Sequence, residues 1–322
     1  MYVQTAVETT AKVGDCVVAQ KDYKVTDLLP AFIRHVRFEW SLSPNTAIKY
    51  EQCLRSVTKD LGNLSVKDIS LGHLTELKQK VITRGAGEAR VGSMVFAIKS
   101  LLKFCQEAME LDVLDYKKIK SPKRHRREVL FLTPEEIQQF IDAIPLEKKW
   151  NGRSRERSVR MDGLRFRTLV EVLLGTGMRI SEALSLDRDK INFEKREAKI
   201  IGKGNKERVV FFTQRALDWV VRYLENRKDE ELPLFITHKL TRMRNVDISR
   251  VFMQYRKKSG VNKKITPHIL RHTTATTLLF NGCPISHVKE ILGHERLETT
   301  CKYYLGVDKR LAKEAHGKYL NY

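Results

Sequence analysis

Apolar residues recur at three- and four-residue intervals along most of this chain, and the spacing changes character once. Ala47, Tyr50, Leu54, Val57 and Leu61 step 3-4-3-4, which sets them on one face of a helix. The exception is REAKIIGKGNKERVVFF (196–212). Here two β-rich runs flank Gly202-Lys203-Gly204-Asn205, and that reads as a hairpin. A chain with this pattern is mainly α, with a small β-hairpin or sheet.

The helical pattern falls into two blocks. Residues 1–24 carry no clear periodicity and read as an N-terminal arm. From 25 to 116, LLPAFIRHVRF, the segment after Ser43-Pro44, HLTELKQKVI and MVFAIKSLLKFCQEAM predict about four helices, a small helical domain. Residues 117–128 lack apolar periodicity, contain Pro122 and read as a linker. The block 129–322 opens on Thr133-Pro134-Glu135-Glu136, which combines an N-cap, an N1 proline and a capping-box glutamate. LRFRTLVEVLLG is the next helix, ended by Gly175-Thr176-Gly177. After the hairpin, helices resume at QRALDWVVRYLENR, DISRVFMQYRKK, PHILRHTTATTLLFN, PISHVKEIL and the C-terminal tail.

Charge separates the blocks further. Sixty Lys and Arg against 39 Asp and Glu leave a net charge of +21, which calls for a polyanionic partner or a very soluble basic enzyme. Residues 1–116 hold 15 basic and 14 acidic side chains. KKIKSPKRHRR (117–127) then holds seven basic groups and no acid: Lys117, Lys118, Lys120, Lys123, Arg124, Arg126 and Arg127. Such a run is a solvated segment or a strip that crosses a phosphate backbone. The five cysteines are scattered with no CxxC pair, which predicts reduced thiols in a cytosol and no cysteine-built zinc site. No apolar run approaches the roughly 18 residues a membrane span needs, and the N-terminus has no signal-peptide pattern. Membrane and secreted classes are excluded on these expectations.

Several residues have the chemistry for a phosphate. In Thr266-Pro267-His268-Ile269-Leu270-Arg271, Thr266 is placed to cap a helix and Pro267 sits at N1. His268 and Arg271 lie three apart on one face. The positive helix end disfavours imidazolium and keeps His268 neutral, while Arg271 can grip a phosphate with two parallel bonds. HxxR alone is a weak signal, and a surface His beside a solvated Arg fits it equally. Arg179, after Gly-Thr-Gly-Met, starts a helix where a lone cation opposes the dipole; it awaits an anion or pairs with Glu182 at i+3. Lys203 on the hairpin turn is either solvated or a mobile acid for a leaving oxygen. His294 follows Leu292-Gly293 at a helix end. Tyr303 and Tyr304 are ordinary core residues unless a base and a cationic pocket activate one. No GxxxxGK[ST] phosphate loop exists in the chain.

Taken in order, Arg179, Lys203, His268, Arg271, His294 and Tyr303 resemble the active-site series of the tyrosine recombinases, the phage-integrase family, in its Xer-like subgroup. The strings GTGMRISEAL, IGKGNKERVV, PHILRHTTAT and LGHERLETTCKYY match in order, and the resemblance covers the whole chain. The 24 residues from Arg179 to Lys203 and the nine from His294 to Tyr303 look like the Xer subgroup. The resemblance implies two domains, a helical, SAM-like core-binding domain at 25–116 and a mixed α/β catalytic domain at 129–322 that ends in a tail helix.

It also implies a reaction. Tyr303 attacks a DNA phosphodiester to give a 3′-phosphotyrosine, with Arg179 and Arg271 on the non-bridging oxygens. His268 takes the phenolic proton, His294 donates to the phosphoryl group, and Lys203 protonates the departing 5′-oxygen. No cofactor and no metal are implied. The partners implied are double-stranded DNA carrying a specific recombination site, gripped in part by the 117–127 cations, and three further protomers in a tetrameric synapse; a cytoplasmic, nucleoid-associated location follows. The alternatives are a type IB topoisomerase-like enzyme and a catalytically silent DNA-binding regulator. Three features depart from the family pattern: the charged insertion at 146–160, Tyr304 beside the nucleophile, and no arm-site domain before residue 25, which disfavours a complex lambda-type integrase.

Overall fold

A computed structural model describes residues 22–120, 129–146, 156–202, 206–294, 301, 316–318 and 320, with side chains from 163 onward in the helix that begins at Glu156. The chain divides into two compact units, Met1–Arg126 and Arg127–Tyr322.

Among its described residues the first unit holds four α-helices, α1 (Val25–Phe38), α2 (Pro44–Leu61), α3 (Leu71–Thr83) and α4 (Glu88–Glu107). Their starts follow from local chemistry. Ser43 accepts from the Thr46 N–H at 3.3 Å with Pro44 at N1, and Ser70 accepts from the His73 N–H. The α4 helix packs against the other three. Phe32 is fully buried, with ring centroids 5.7 Å from both Tyr50 and Phe104. Two segments expected to lie outside this unit contribute to it. Tyr23 O accepts from the Val66 N–H, and Lys24 bridges to Ser65. At the other end Tyr116–Lys118 form a single 3-10 turn and Ile119 is buried in the same core.

The second unit contains α5 (Pro134–Asp142), α6 (Glu156–Thr176), α7 (Ile180–Ser185), β1 (Ile191–Asn192), β2 (Glu197–Ile201), β3 (Glu207–Phe211), α8 (Gln214–Glu225), α9 (Asn245–Ser259), α10 (Pro267–Phe280) and α11 (Ile285–Leu292). Thr133 and Glu136 form the expected reciprocal cap of α5. The expected hairpin is the β2–β3 pair of a three-stranded antiparallel sheet, with Ala198 opposite Val210 and Ile200 opposite Arg208. The β1 strand was not legible, because a two-residue strand has no period to detect. The α6 helix starts at Glu156, inside the segment read as a charged insertion. Its later turns, Thr168 to Leu173, are nearly all buried and pack against α8 and α10. This buried rod carries Thr176 and Gly177 to the edge of the site.

Candidate active site

The site forms where four elements end or turn. Leaving α6, Thr176 Oγ1 accepts from the Met178 N–H at 3.1 Å. Gly177 takes φ +65°, and a β-carbon there would stand 2.7 Å from a Leu292 methyl. Only glycine meets both demands. The chain then presents Arg179 in extended conformation as the residue before α7. Its own backbone N–H donates to Glu182 Oε2 and its Nη1 to Glu182 Oε1, both at 2.8 Å. Arg179 is thus paired with Glu182, the partner its i+3 spacing offers.

Glu182 is 4% exposed and holds a second arginine, Arg208 of β3, at 2.9 Å. Burial raises its pKa, but the Arg179 backbone N–H, Arg208 and the Arg179 guanidinium outweigh that and hold it below the usual carboxylate value. Glu182 is therefore a carboxylate at neutral pH, shared between two cations.

Thr266 caps α10 as its sequence predicts, accepting from the Ile269 N–H with Pro267 at N1. His268 lies in the first turn, partly exposed. Arg271, one turn on, is 2% exposed. Its Nη1 donates to Gly177 O at 2.7 Å and its Nη2 to Leu292 O at 2.5 Å, so two carbonyls set the guanidinium plane. The α11 helix ends on Gly293 at φ +62°, and His294 follows, 7% exposed.

Arg179 and Arg208 thus share one carboxylate, and the charges of Arg179, Arg208 and Arg271 bear on three imidazoles. Burial, then Arg271 and Arg179, lowers the His268 pKa. Burial, then Arg271, Arg179, His272 and Arg208, pushes His294 down to about 4. Burial, then His268 and Arg271, takes His272 to about 4 as well. All three rings are neutral at pH 7, able to accept a proton or donate a single N–H. The excess of fixed positive charge gives the cluster the electrostatics to hold an anion.

The structure brings together Arg179, His268, Arg271 and His294. Lys203 and Tyr303 lie outside the described residues, as do Lys123, Arg124, Arg126 and Arg127. Lys117, Lys118 and Lys120 are exposed on the first unit, with the Lys117 ammonium 5.9 Å from the Tyr116 ring centroid. Three members of the cluster were not singled out as site residues from sequence. Glu182 was weighed only as a partner for Arg179. His272 crosses His268 edge-on with ring centroids 4.2 Å apart, one helical turn away on the same face. Arg208 carried a readable signal, for strand alternation puts it on the inward face beside buried Val210. An inward-facing arginine in a short strand calls for a partner. Among the described residues no cluster of three or more His, Cys, Asp or Glu could hold a metal ion, and no helix is long and apolar enough to cross a membrane.

Comparison with known proteins gives a consistent result. Residues 130–310 match the family described as the phage integrase family. Tyrosine recombinase XerC of Chlamydia muridarum is 30% identical over 280 residues, covering 85% of this chain and 84% of that protein. Tyrosine recombinase XerD of Staphylococcus haemolyticus is 26% identical over 305 residues, covering 91% and 98%. Among solved structures, the XerH site-specific recombinase bound to a palindromic difH substrate superposes with a TM-score of 0.70 at 20% identity, covering 92% and 97% of the two chains. A lambda integrase dimer bound to a COC′ core site gives 0.70 at 14% identity, covering 90% and 79%. The fold is shared with these structures, and the sequence match extends over more than half of the chain: this protein belongs to the phage integrase family, the tyrosine recombinases.

Proposed function

We propose that this site-specific recombinase cleaves and rejoins double-stranded DNA through Tyr303, with Arg179, Lys203, His268, Arg271 and His294 as the groups that act on the scissile phosphate. The observation that carries this reading is the cluster of Arg179, Arg271, His268 and His294 at one carboxylate-poor, cation-rich point of the second unit. The chain order of the six residues supports the two members outside that description.

In the cleavage step the Tyr303 oxygen attacks phosphorus and the bond to the 5′-oxygen breaks. The phenolic proton passes to His268, whose lowered pKa keeps it unprotonated beforehand. Lys203 supplies a proton to the departing 5′-oxygen. Arg179 and Arg271 neutralise charge on the non-bridging oxygens of the five-coordinate transition state, and permanent guanidinium charge suits that task. His294 donates one hydrogen bond to the phosphoryl group. Because the phosphate is held as a tyrosyl ester, a 5′-hydroxyl of another strand can reverse the step with no external energy source. The relatives are recombinases, which does not favour the topoisomerase-like or regulator alternatives.

The same reading assigns the core-binding role to residues 25–116, the catalytic role to 129–322 and phosphate-backbone contacts to the cations of 117–127. It places four protomers on two DNA sites through the C-terminal tail, with the work done at the nucleoid in the cytoplasm. The decisive test traps the enzyme on a nicked duplex built from the sequence it enriches out of a random duplex pool. Wild type forms a covalent adduct and Tyr303→Phe forms none; an adduct lost only in Tyr304→Phe moves the nucleophile by one residue. Deleting residues 307–322 leaves duplex binding intact and abolishes the two-site complex in a gel; full recombination by that truncation refutes the synapse assignment.

A further inference from the structure

A helix C-terminus leaves its last four carbonyls without partners inside the helix, and buried carbonyls must find them elsewhere. At the end of α11 every one is accounted for. Gly293 N–H returns to Glu290 O at 2.9 Å and His294 N–H to Lys289 O at 3.0 Å, the bonding pattern of a glycine-terminated helix. The next three carbonyls in succession go to three arginines, from β3, from α10 and from the cap of α7. Ile291 O accepts from Arg208 Nη1 at 2.8 Å, Leu292 O from Arg271 Nη2 at 2.5 Å, and Gly293 O from Arg179 Nη2 at 3.2 Å.

Two of those arginines belong to the reaction proposed above, and the third does not. Arg208 lies on β3, donates one Nη to Ile291 O and the other to Glu182, and is tied by that carboxylate to Arg179. Its guanidinium also fills the space beside Gly293, for a β-carbon there would come within 2.6 Å of Arg208 Nε. The fork therefore does two things at once. One arm holds the turn that carries His294, and the other holds the carboxylate that orients Arg179.

We propose that Arg208 is a positioning residue for strand cleavage, which fixes the Ile291–Gly293 turn and the Glu182 carboxylate so that His294 and Arg179 meet one phosphate in register. The inference rests on the assignment of Arg179 and His294 to the scissile phosphate. Lysine cannot replace the fork, because a single ammonium lacks the planar pair of donors that spans a carbonyl and a carboxylate.

The test measures single-turnover adduct formation on the nicked duplex for Arg208→Gln and Arg208→Lys, each alone and combined with His294→Gln, beside thermal melting and duplex affinity. In the wild-type background both variants slow the chemical step by about 100-fold, the cost of a small misplacement of a reacting group, while duplex affinity stays within about twofold. In the His294→Gln background the same changes cost less, because one of the two groups they position is already gone. Arg208→Lys keeps a cation beside Glu182, so it remains folded if the glutamine variant does not. A rate within about threefold of wild type in a folded variant overturns the proposal. Equal losses in both backgrounds also overturn it, since they mark a general structural role. A wild-type protein that forms no adduct, or an adduct that survives Tyr303→Phe, instead sinks the parent assignment of the nucleophile.

Discussion

The two units of this chain bury different things. Among the described residues the first unit buries two polar side chains, Ser65 and Ser100, inside an otherwise apolar core. Among its described residues the second buries three arginines, two glutamates, a histidine and several threonines, with Arg271 among the largest fully enclosed side chains. Apolar packing is non-directional and tolerates exchange of one hydrocarbon for another of similar volume. A buried guanidinium must meet each of its donors with an acceptor, so it fixes neighbours in direction as well as distance. The first unit is built to hold a shape, and the second to hold charges at chosen points.

Three changes test that contrast, the largest effect first. Arg271→Gln is expected to lower the single-turnover cleavage rate by about 1,000-fold, the scale of losing a preorganised transition-state donor. It also leaves Gly177 O and Leu292 O without their partner. Cleavage on the nicked duplex measures the first effect, and a rate near wild type would remove Arg271 from the site. Phe32→Ala, in the first unit, is expected to cost about 3–5 kcal/mol of stability through the cavity it leaves. Urea unfolding reads that loss, and the cleavage rate per bound, folded enzyme should stay near wild type. A rate loss comparable to Arg271→Gln would break the division between the units.

The third effect concerns pH. His272 and His294 have pKa values near 4 in the folded chain against an ordinary 6.5. Between those values the unfolded chain binds more protons, so stability rises with pH through that window and is lost as the solution is acidified from about 6.5 towards 4. A loss on the order of 2 kcal/mol per ring at most between pH 7 and pH 5 is expected in the second unit, less where solvent screens the ring. Urea midpoints at the two pH values check it, and His294→Gln should reduce the slope. A slope of opposite sign, or one that persists unchanged in a His272→Gln and His294→Gln double variant, would contradict it.

Much of the architecture was legible because it is written in local periods. Ala47 to Leu61 share a helical face by spacing alone, and Ser43-Pro44, Thr133-Pro134 and Thr266-Pro267 announce helix starts through bonds made within three residues. The hairpin was readable from alternation and its glycine turn. The start of α6 was not, because ERSVR at 156–160 holds one apolar residue and so no stripe to reveal a helix. The candidate site was legible only as an ordered set. Each of Arg179, His268, Arg271 and His294 has an unremarkable reading by itself, and their succession in chain order is what resembles the family.

What the sequence determined, then, was which residue types stand at which intervals, and from these the helices, the hairpin, the caps and the family. The tertiary structure decided how they meet. Arg179, Arg208 and Arg271 stand 29 and 63 positions apart in succession along the chain, yet they close on three consecutive carbonyls of one helix end. No local rule pairs a strand arginine with a carbonyl 83 residues away. That pairing arises because the end of α11 exposes acceptors that burial leaves unanswered by its own helix, and only folding brings the donors to them.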